Sequence, residues 1–270
     1  TGMIDIHALK LAREFKELLA NKGLATVYQP ILSLHSGAIL GWEALVRGPA
    51  RSYFDRPDAI FSFAEENGLL YPTEKVCRAV AIGNIGQLGR GQKLFLNVHP
   101  RTINDPAFVQ GETLTLLQDY GLNPADIVFE ITERHSIIDY AHLKGTLEYY
   151  RKQGYQVAID DVGTGFAGLY SITEIRPDFI KIDMSLVRNI DNHFRRRSAV
   201  QAMVTMANKN GCQVIAEGIE TRGELNTLLE IGVAYGQGYY LARPDFPKPL
   251  VSETVIGYVL EQVLAKRDIG

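Results

Sequence analysis

The sequence predicts an α/β fold in which about eight strands close into a barrel, with one antiparallel strand in an opening hairpin. Three observations predict it. Short apolar runs alternate with stretches of helical period along most of the chain, which implies parallel strands joined by helical crossovers. Two early strand candidates are separated by a turn too short to hold a helix, so they pair antiparallel. Nearly every strand candidate ends on a polar side chain: Glu43, Asn97, Glu130, Asp160 with Asp161, Lys181 with Asp183, Glu217 and Gln237. An open sheet gathers ligands at one switch point, whereas a closed (β/α)8 barrel brings every strand end to one mouth. Polar ends on so many strands favour closure, a TIM-like barrel.

The elements follow in order. Apolar residues at Ile4, Ala8, Leu11, Phe15, Leu18 and Leu19 keep helical spacing and stop near Gly23, giving an amphipathic helix over residues 1–23. Residues 27–32 and 39–46 are the hairpin strands. Residues 57–68 and 72–88 read as helices with proline near each start, where its missing N–H is harmless. Strand 93–98 precedes a helix near 106–120, strand 126–131, helix 137–153 and strand 155–160. A short helix after Gly165 leads to strand 178–183. Helix 194–210, strand 213–216, helix 222–231, strand 236–241 and a last helix from Val251 complete the alternation. Residues 24–270 are expected to form one domain, preceded by a helix that suits a linker from an upstream domain.

Composition narrows the function classes. With 270 residues, 46% of them hydrophobic, the chain is long enough for one large core. The 28 basic and 31 acidic residues give a net charge of −3, which argues against polymeric nucleic acid or an anionic membrane as partner. Two distant cysteines, Cys77 and Cys212, fit free thiols in a reducing compartment. No apolar run reaches membrane-spanning length, so a cytoplasmic location is expected.

The polar ends suit hard cations. Adjacent Asp160 and Asp161 can offer oxygens to two ions about 3.5–4 Å apart, the spacing that serves phosphoryl-ester hydrolysis. Glu43, Asn97, Glu130 and Glu217 would complete the shells, and cations would keep so many clustered carboxylates ionised. The six histidines lack any H-x-H or H-x-x-x-H grouping, so Mg2+ or Mn2+ is favoured over zinc. Residues 163–168 match G-x-G-x-x-G after a strand. Two carboxylates immediately before them would repel a pyrophosphate, so the glycines read as a flexible loop over a metal site.

These residues carry a family resemblance. With Glu43-Ala44-Leu45-Val46-Arg47, Asn97 in Asn-Val-His-Pro, Glu130-Ile131-Thr132-Glu133, Asp160-Asp161-Val162-Gly163-Thr164-Gly165, Lys181-Ile182-Asp183, Ala216-Glu217-Gly218-Ile219-Glu220 and Gln237-Gly238, residues 24–249 resemble the EAL-domain cyclic di-GMP phosphodiesterases. The resemblance implies hydrolysis of cyclic di-GMP to linear 5'-pGpG by in-line attack of a metal-activated water. It implies two Mg2+ or Mn2+ ions per active site. Glu43, Asn97, Glu130 and Asp160 correspond to ligands of the first ion, Asp160, Asp161 and Glu217 to those of the second, and Asp183 joins through water. Lys181 would orient or polarise the attacking water, and Glu133 would anchor the 163–168 loop. Arg47 suits a substrate phosphate, with Gln29, Leu45 and Gln237 as further substrate contacts. A homodimer and an upstream sensory or GGDEF-type domain are also implied.

Val162 departs from the aromatic residue commonest after the Asp-Asp pair in the family, and Phe166-Ala167-Gly168 replace small polar residues. Two other functions compete. A receptor that binds cyclic di-GMP without cleaving it would need no complete ligand set, yet all acidic positions are filled. An enolase-type barrel would use Lys181 as a base beside one metal, which the contiguous aspartates disfavour.

Overall fold

The computed structural model describes residues 6–99, 101–102, 105, 107–109, 111–132, 140–164 and 173–267. Eight strands form a closed barrel in sequence order: β1 (Ala25–Ser33), β2 (Ile39–Arg47), β3 (Lys93–Asn97), β4 (Ile127–Thr132), β5 (Gln156–Val162), β6 (Phe179–Ile182), β7 (Gln213–Ala216) and β8 (Tyr235–Gly236). All neighbours from β2 to β8 are parallel, and β1 runs antiparallel to both β2 and β8. The expected closure and the single reversed strand are both present. Reversal of β1 brings Gln29, in its middle, opposite Glu43.

Helices wrap the barrel: α1 (Ile6–Ala20), α2 (Pro57–Glu66), α3 (Leu70–Asn84), α4 (Glu112–Asp119), α5 (Tyr140–Lys152), α6 (Met184–Val187), α7 (Phe194–Lys209), α8 (Arg222–Ile231) and α9 (Glu253–Arg267). Local chemistry explains their limits. Pro57 opens α2 where no N–H is needed. Thr221 caps α8 by accepting the Glu224 N–H, and the Glu224 carboxylate returns to the Thr221 N–H, a capping box; Gly232 ends the helix in the left-handed region at φ 86°. α1 shares a core with α2 and the hairpin, Phe15 and Leu18 packing with Val46, Phe54 and Ile60. None of the described helices is long and apolar enough to cross a membrane.

Several elements are shorter than the sequence predicts, two of them markedly. The helix expected near 106–120 is regular only from Glu112, because Gly111 sits at φ 79°, a left-handed conformation that a continuous helix excludes. The strand expected over 236–241 keeps two residues of ladder. Beyond Gln237 the chain folds into a turn, with the Leu241 and Ala242 N–H groups donating to the Gly238 carbonyl. β5, in contrast, continues two residues past its expected end.

Positions i and i+2 of a strand share a face. Inside the barrel Ile31, Phe95, Val128, Ala158, Phe179 and Ile215 form an apolar plug, with Leu40 and Tyr235 against it. One inward step toward the carboxyl ends of the parallel strands replaces this layer by Asn97, Glu130, Asp160, Lys181, Glu217 and Gln237. In reversed β1 the same step leads from Ile31 back to Gln29. The polar site is therefore the layer above the plug, with a dry floor beneath its charges.

Candidate active site

Lys181 occupies the middle of that layer and is wholly buried. Its Nζ lies 2.7 Å from Glu217 Oε1, 2.9 Å from Glu130 Oε1, 3.1 Å from Glu43 Oε2 and 3.5 Å from Asp160 Oδ1. Burial alone would strip its proton, but four surrounding carboxylates more than reverse this and hold its pKa well above the usual lysine value. Lys181 is thus a fixed cation and a donor.

The carboxylates differ in what surrounds them. Glu43 Oε2 accepts from Lys181 and from Gln237 Nε2 at 2.7 Å, and Oε1 accepts from Asn97 Nδ2 at 3.2 Å. Burial raises its pKa, yet Lys181 and these amides together outweigh it, so the Glu43 carboxyl titrates below its ordinary value. Gln237 Nε2 also donates to Gln29 Oε1, and Gln29 Nε2 donates to the Ala242 carbonyl, so the two glutamines brace Glu43 from the far side of β1. Glu130 is the opposite case. Burial first, and the nearby Glu43 charge second, push its pKa well up; Oε1 meets Lys181 Nζ at 2.9 Å, and the buried Oε2 has no hydrogen-bond donor. Burial likewise raises Asp160 and Glu217, which repel each other and Glu43.

Asp160 and Asp161 reach the same mouth although neighbouring strand residues normally face opposite ways. A bulge resolves this. Between Ile159 and Val162, β5 spends one more residue than β6 does between Ile180 and Ile182, and Asp161 takes φ 58° in the left-handed region. The Asp161 N–H donates to Asp160 Oδ1 at 2.8 Å, and the Thr164 N–H and hydroxyl return to the Asp161 carbonyl. Gly218, at φ 69°, turns the chain after Glu217; a Cβ there would come within 2.4 Å of Met184 Cβ.

Carboxylate oxygens of Glu43, Glu130 and Asp160 lie within 4.8 Å of one another, and so do those of Asp160, Asp161 and Glu217. Five carboxylates around one ammonium leave an excess of four negative charges, which two divalent cations would balance. The donor set fits them: all oxygen, with the buried Glu130 Oε2 left without a hydrogen-bond donor.

Asp183 caps α6, its Oδ1 accepting the Ser185 N–H at 2.9 Å. Arg47 donates to the carbonyl of its neighbour Val46; with Leu45 it shares the Glu43 face of β2. Glu133 and Gly165 to Gly168 lie outside the described residues.

A family model described as EAL domain matches residues 12–244. The chain belongs to the EAL-domain family. This EAL domain is similar to a standalone versatile EAL protein from Vibrio cholerae O395 in its c-di-GMP bound form, at 33% identity over 85% of this chain and 95% of that one, TM-score 0.75. It is also similar to BlrP1 of Klebsiella pneumoniae in a manganese and cy-diGMP complex, at 30% identity over 83% of this chain and 56% of that one, TM-score 0.74. Among curated relatives, the cyclic di-GMP phosphodiesterase RocR of Pseudomonas aeruginosa is 28% identical over 245 residues, 89% of this chain and 62% of RocR. The chain spans about a third to a half of the length of most curated relatives it matches.

Sequence reasoning passed over the buried carboxylate Glu74 on α3, 4% exposed. A signal existed: Tyr71, Ala81, Ile82 and Ile85 make the buried stripe of that helix, and Glu74 and Arg78 interrupt it. Burial lifts the Glu74 pKa from 4.5 to about 7, with Arg78 pulling the other way. Stability is therefore whole below about pH 4.5, falls as pH rises because only the unfolded chain ionises freely, and reaches its reduced level above about pH 7. Glu74→Gln removes that cost and is expected to raise stability at pH 8 by about 3 kcal/mol, with little change at pH 4.5. Denaturant melts at the two pH values check it.

Proposed function

We propose that this EAL domain hydrolyses cyclic di-GMP to linear 5'-pGpG with two Mg2+ or Mn2+ ions in its mouth. The observation that carries this is the membership of Asp160 in two carboxylate groups, each compact enough for one ion. Glu43, Asn97, Glu130 and Asp160 would hold one, and Asp160, Asp161 and Glu217 the other. Bound there, the ions would bring a water within reach of deprotonation near neutral pH and screen the charge growing on the phosphate. The relatives support the substrate, RocR by its name and BlrP1 by carrying manganese together with the cyclic nucleotide.

The chain's own groups do the rest. Glu43 is held by three donors before any ligand arrives, so its lone pairs are aimed without reorganisation. Lys181, fixed and protonated, donates toward the attacking water and the phosphate rather than abstracting a proton, which is what an enolase-type site would ask of it. Arg47, on the Glu43 face of β2, can exchange its contact with Val46 for a phosphate and grip it through two N–H groups. Gln29, Leu45 and Gln237 complete the substrate contacts. The water gives up a proton as its oxygen bonds to phosphorus, the bond from phosphorus to the 3' oxygen breaks, and that oxygen takes up a proton.

Incubation with cyclic di-GMP and Mn2+ followed by chromatography tests the reading, and pGpG is the expected product. Removal of divalent ions with EDTA is expected to abolish turnover, and added Mg2+ or Mn2+ to restore it. Nucleotide that binds and stays intact would mark a receptor instead. Neither binding nor cleavage would sink both.

A further inference from the structure

We infer that Glu74 is a positioning residue for the Asn97 side of the site: it accepts the backbone N–H of His99, fixes the chain just past β3, and so sets how Asn97 meets Glu43. This rests on the reading of Asn97 as a ligand of a divalent ion. The ladder at the end of β3 supplies one more bond, the Val98 N–H to the Glu130 carbonyl at 2.9 Å. The next N–H, that of His99, has passed the end of the strand and is taken by Glu74 Oε1 at 2.6 Å. The turn beyond it is closed on the same residue, with the Thr102 N–H and hydroxyl both donating to the His99 carbonyl at 3.0 and 2.7 Å. Glu74 thus ties a compact turn to α3, two residues from the Asn97 amide that donates to Glu43.

Packing alone does not call for a carboxylate there, although its charge also faces the buried Arg78. Tyr71, Ala81 and Ile82 on the same helix are buried, and an apolar side chain at position 74 would avoid the desolvation that a buried carboxylate suffers. What an apolar side chain cannot supply is an acceptor for the His99 N–H. Groups hydrogen-bonded directly to a metal ligand commonly change metal affinity by about 10- to 100-fold when removed, and Glu74, acting two residues from Asn97, is expected at the lower end of that range. Stability and metal affinity should therefore move in opposite directions, which a purely structural role would not produce.

The test compares the wild type with E74Q, which keeps an acceptor oxygen, and E74M, which keeps length without one. Each is titrated with Mn2+ by calorimetry at pH 8 and melted under the same conditions. Both variants are expected to melt no lower than the wild type. E74Q should bind Mn2+ within about threefold of wild type, while E74M weakens one of the ions about tenfold or more. Equal weakening in E74Q and E74M, or none in E74M, overturns the inference, as does a wild type that binds no Mn2+. Because calorimetry uses no nucleotide, a wild type that binds Mn2+ but leaves cyclic di-GMP intact defeats the phosphodiesterase reading and not this one. Should E74M not fold, amide hydrogen exchange of the wild type decides: a protected His99 N–H is expected, and exchange as fast as an open amide refutes the tie.

Discussion

Asp160→Asn is expected to lower turnover of cyclic di-GMP by about 10³-fold while leaving the metal-free protein as stable as the wild type or more so. The first half follows from its place in both carboxylate groups: one substitution weakens the hold on both ions, and single electrostatic groups of this kind are worth roughly 10²–10³ in rate. The second half follows from the sign of its titration. Burial raises the Asp160 pKa, so an ionised Asp160 opposes folding, and asparagine removes that charge while its amide oxygen can still accept the Asp161 N–H. Steady-state kinetics in saturating Mn2+ and thermal melts in EDTA measure the two halves. The rise in melting temperature that Mn2+ gives the wild type should shrink or vanish in the variant. Turnover within tenfold of wild type would remove Asp160 from the chemistry.

Lys181→Met is expected to affect both stability and rate, and metal should separate them. Removing the one cation from among four buried or half-buried carboxylates leaves uncompensated charge, a change that typically costs about 3–5 kcal/mol. The loss should be largest in EDTA at pH 8, where the carboxylates are under most pressure to ionise. Mn2+ would supply part of the missing positive charge, so its stabilising effect should be greater in the variant than in the wild type. Turnover should stay low even with the fold restored, because in the proposed mechanism Lys181 donates to the water and phosphate, which a metal cannot replace. Melts with and without Mn2+, followed by kinetics at the temperature where both proteins are folded, give the answer. Recovery of wild-type turnover by Mn2+ alone would reduce Lys181 to a structural counter-ion.

Much of the fold was legible because its signals are local. Alternating periods named strands and helices, and the polar strand ends converge because parallel strands in a closed barrel share one rim. The capping box at Thr221 and Glu224 can be read directly from four residues. What stayed hidden depends on geometry between elements. Strand alternation sends Asp160 and Asp161 to opposite faces, and only the register shift against β6 brings them together. The family resemblance assigns Lys181 to the water, but its contact with four carboxylates is a matter of distances no spacing encodes. Gln29 and Gln237 stood 208 positions apart as separate substrate contacts, and the reversal of β1 makes them one brace behind Glu43. Glu74 was overlooked for a different reason. A charge in a helical stripe is usually solvated, and nothing in the order of residues shows that α3 turns this one against the end of β3.

The bulge in β5 has a bearing on temperature and strain. Most distances across the mouth join side chains from different strands, so they stretch and relax as the barrel breathes. The two carboxylate groups, however, share Asp160, and the second adds its immediate neighbour Asp161, whose Cα is joined to that of Asp160 by one peptide bond and stands about 3.8 Å away whatever the barrel does. The span between the two halves of the site is in this respect a covalent length. A related EAL domain with much less outer packing, or adapted to quite another temperature, would still keep that ruler.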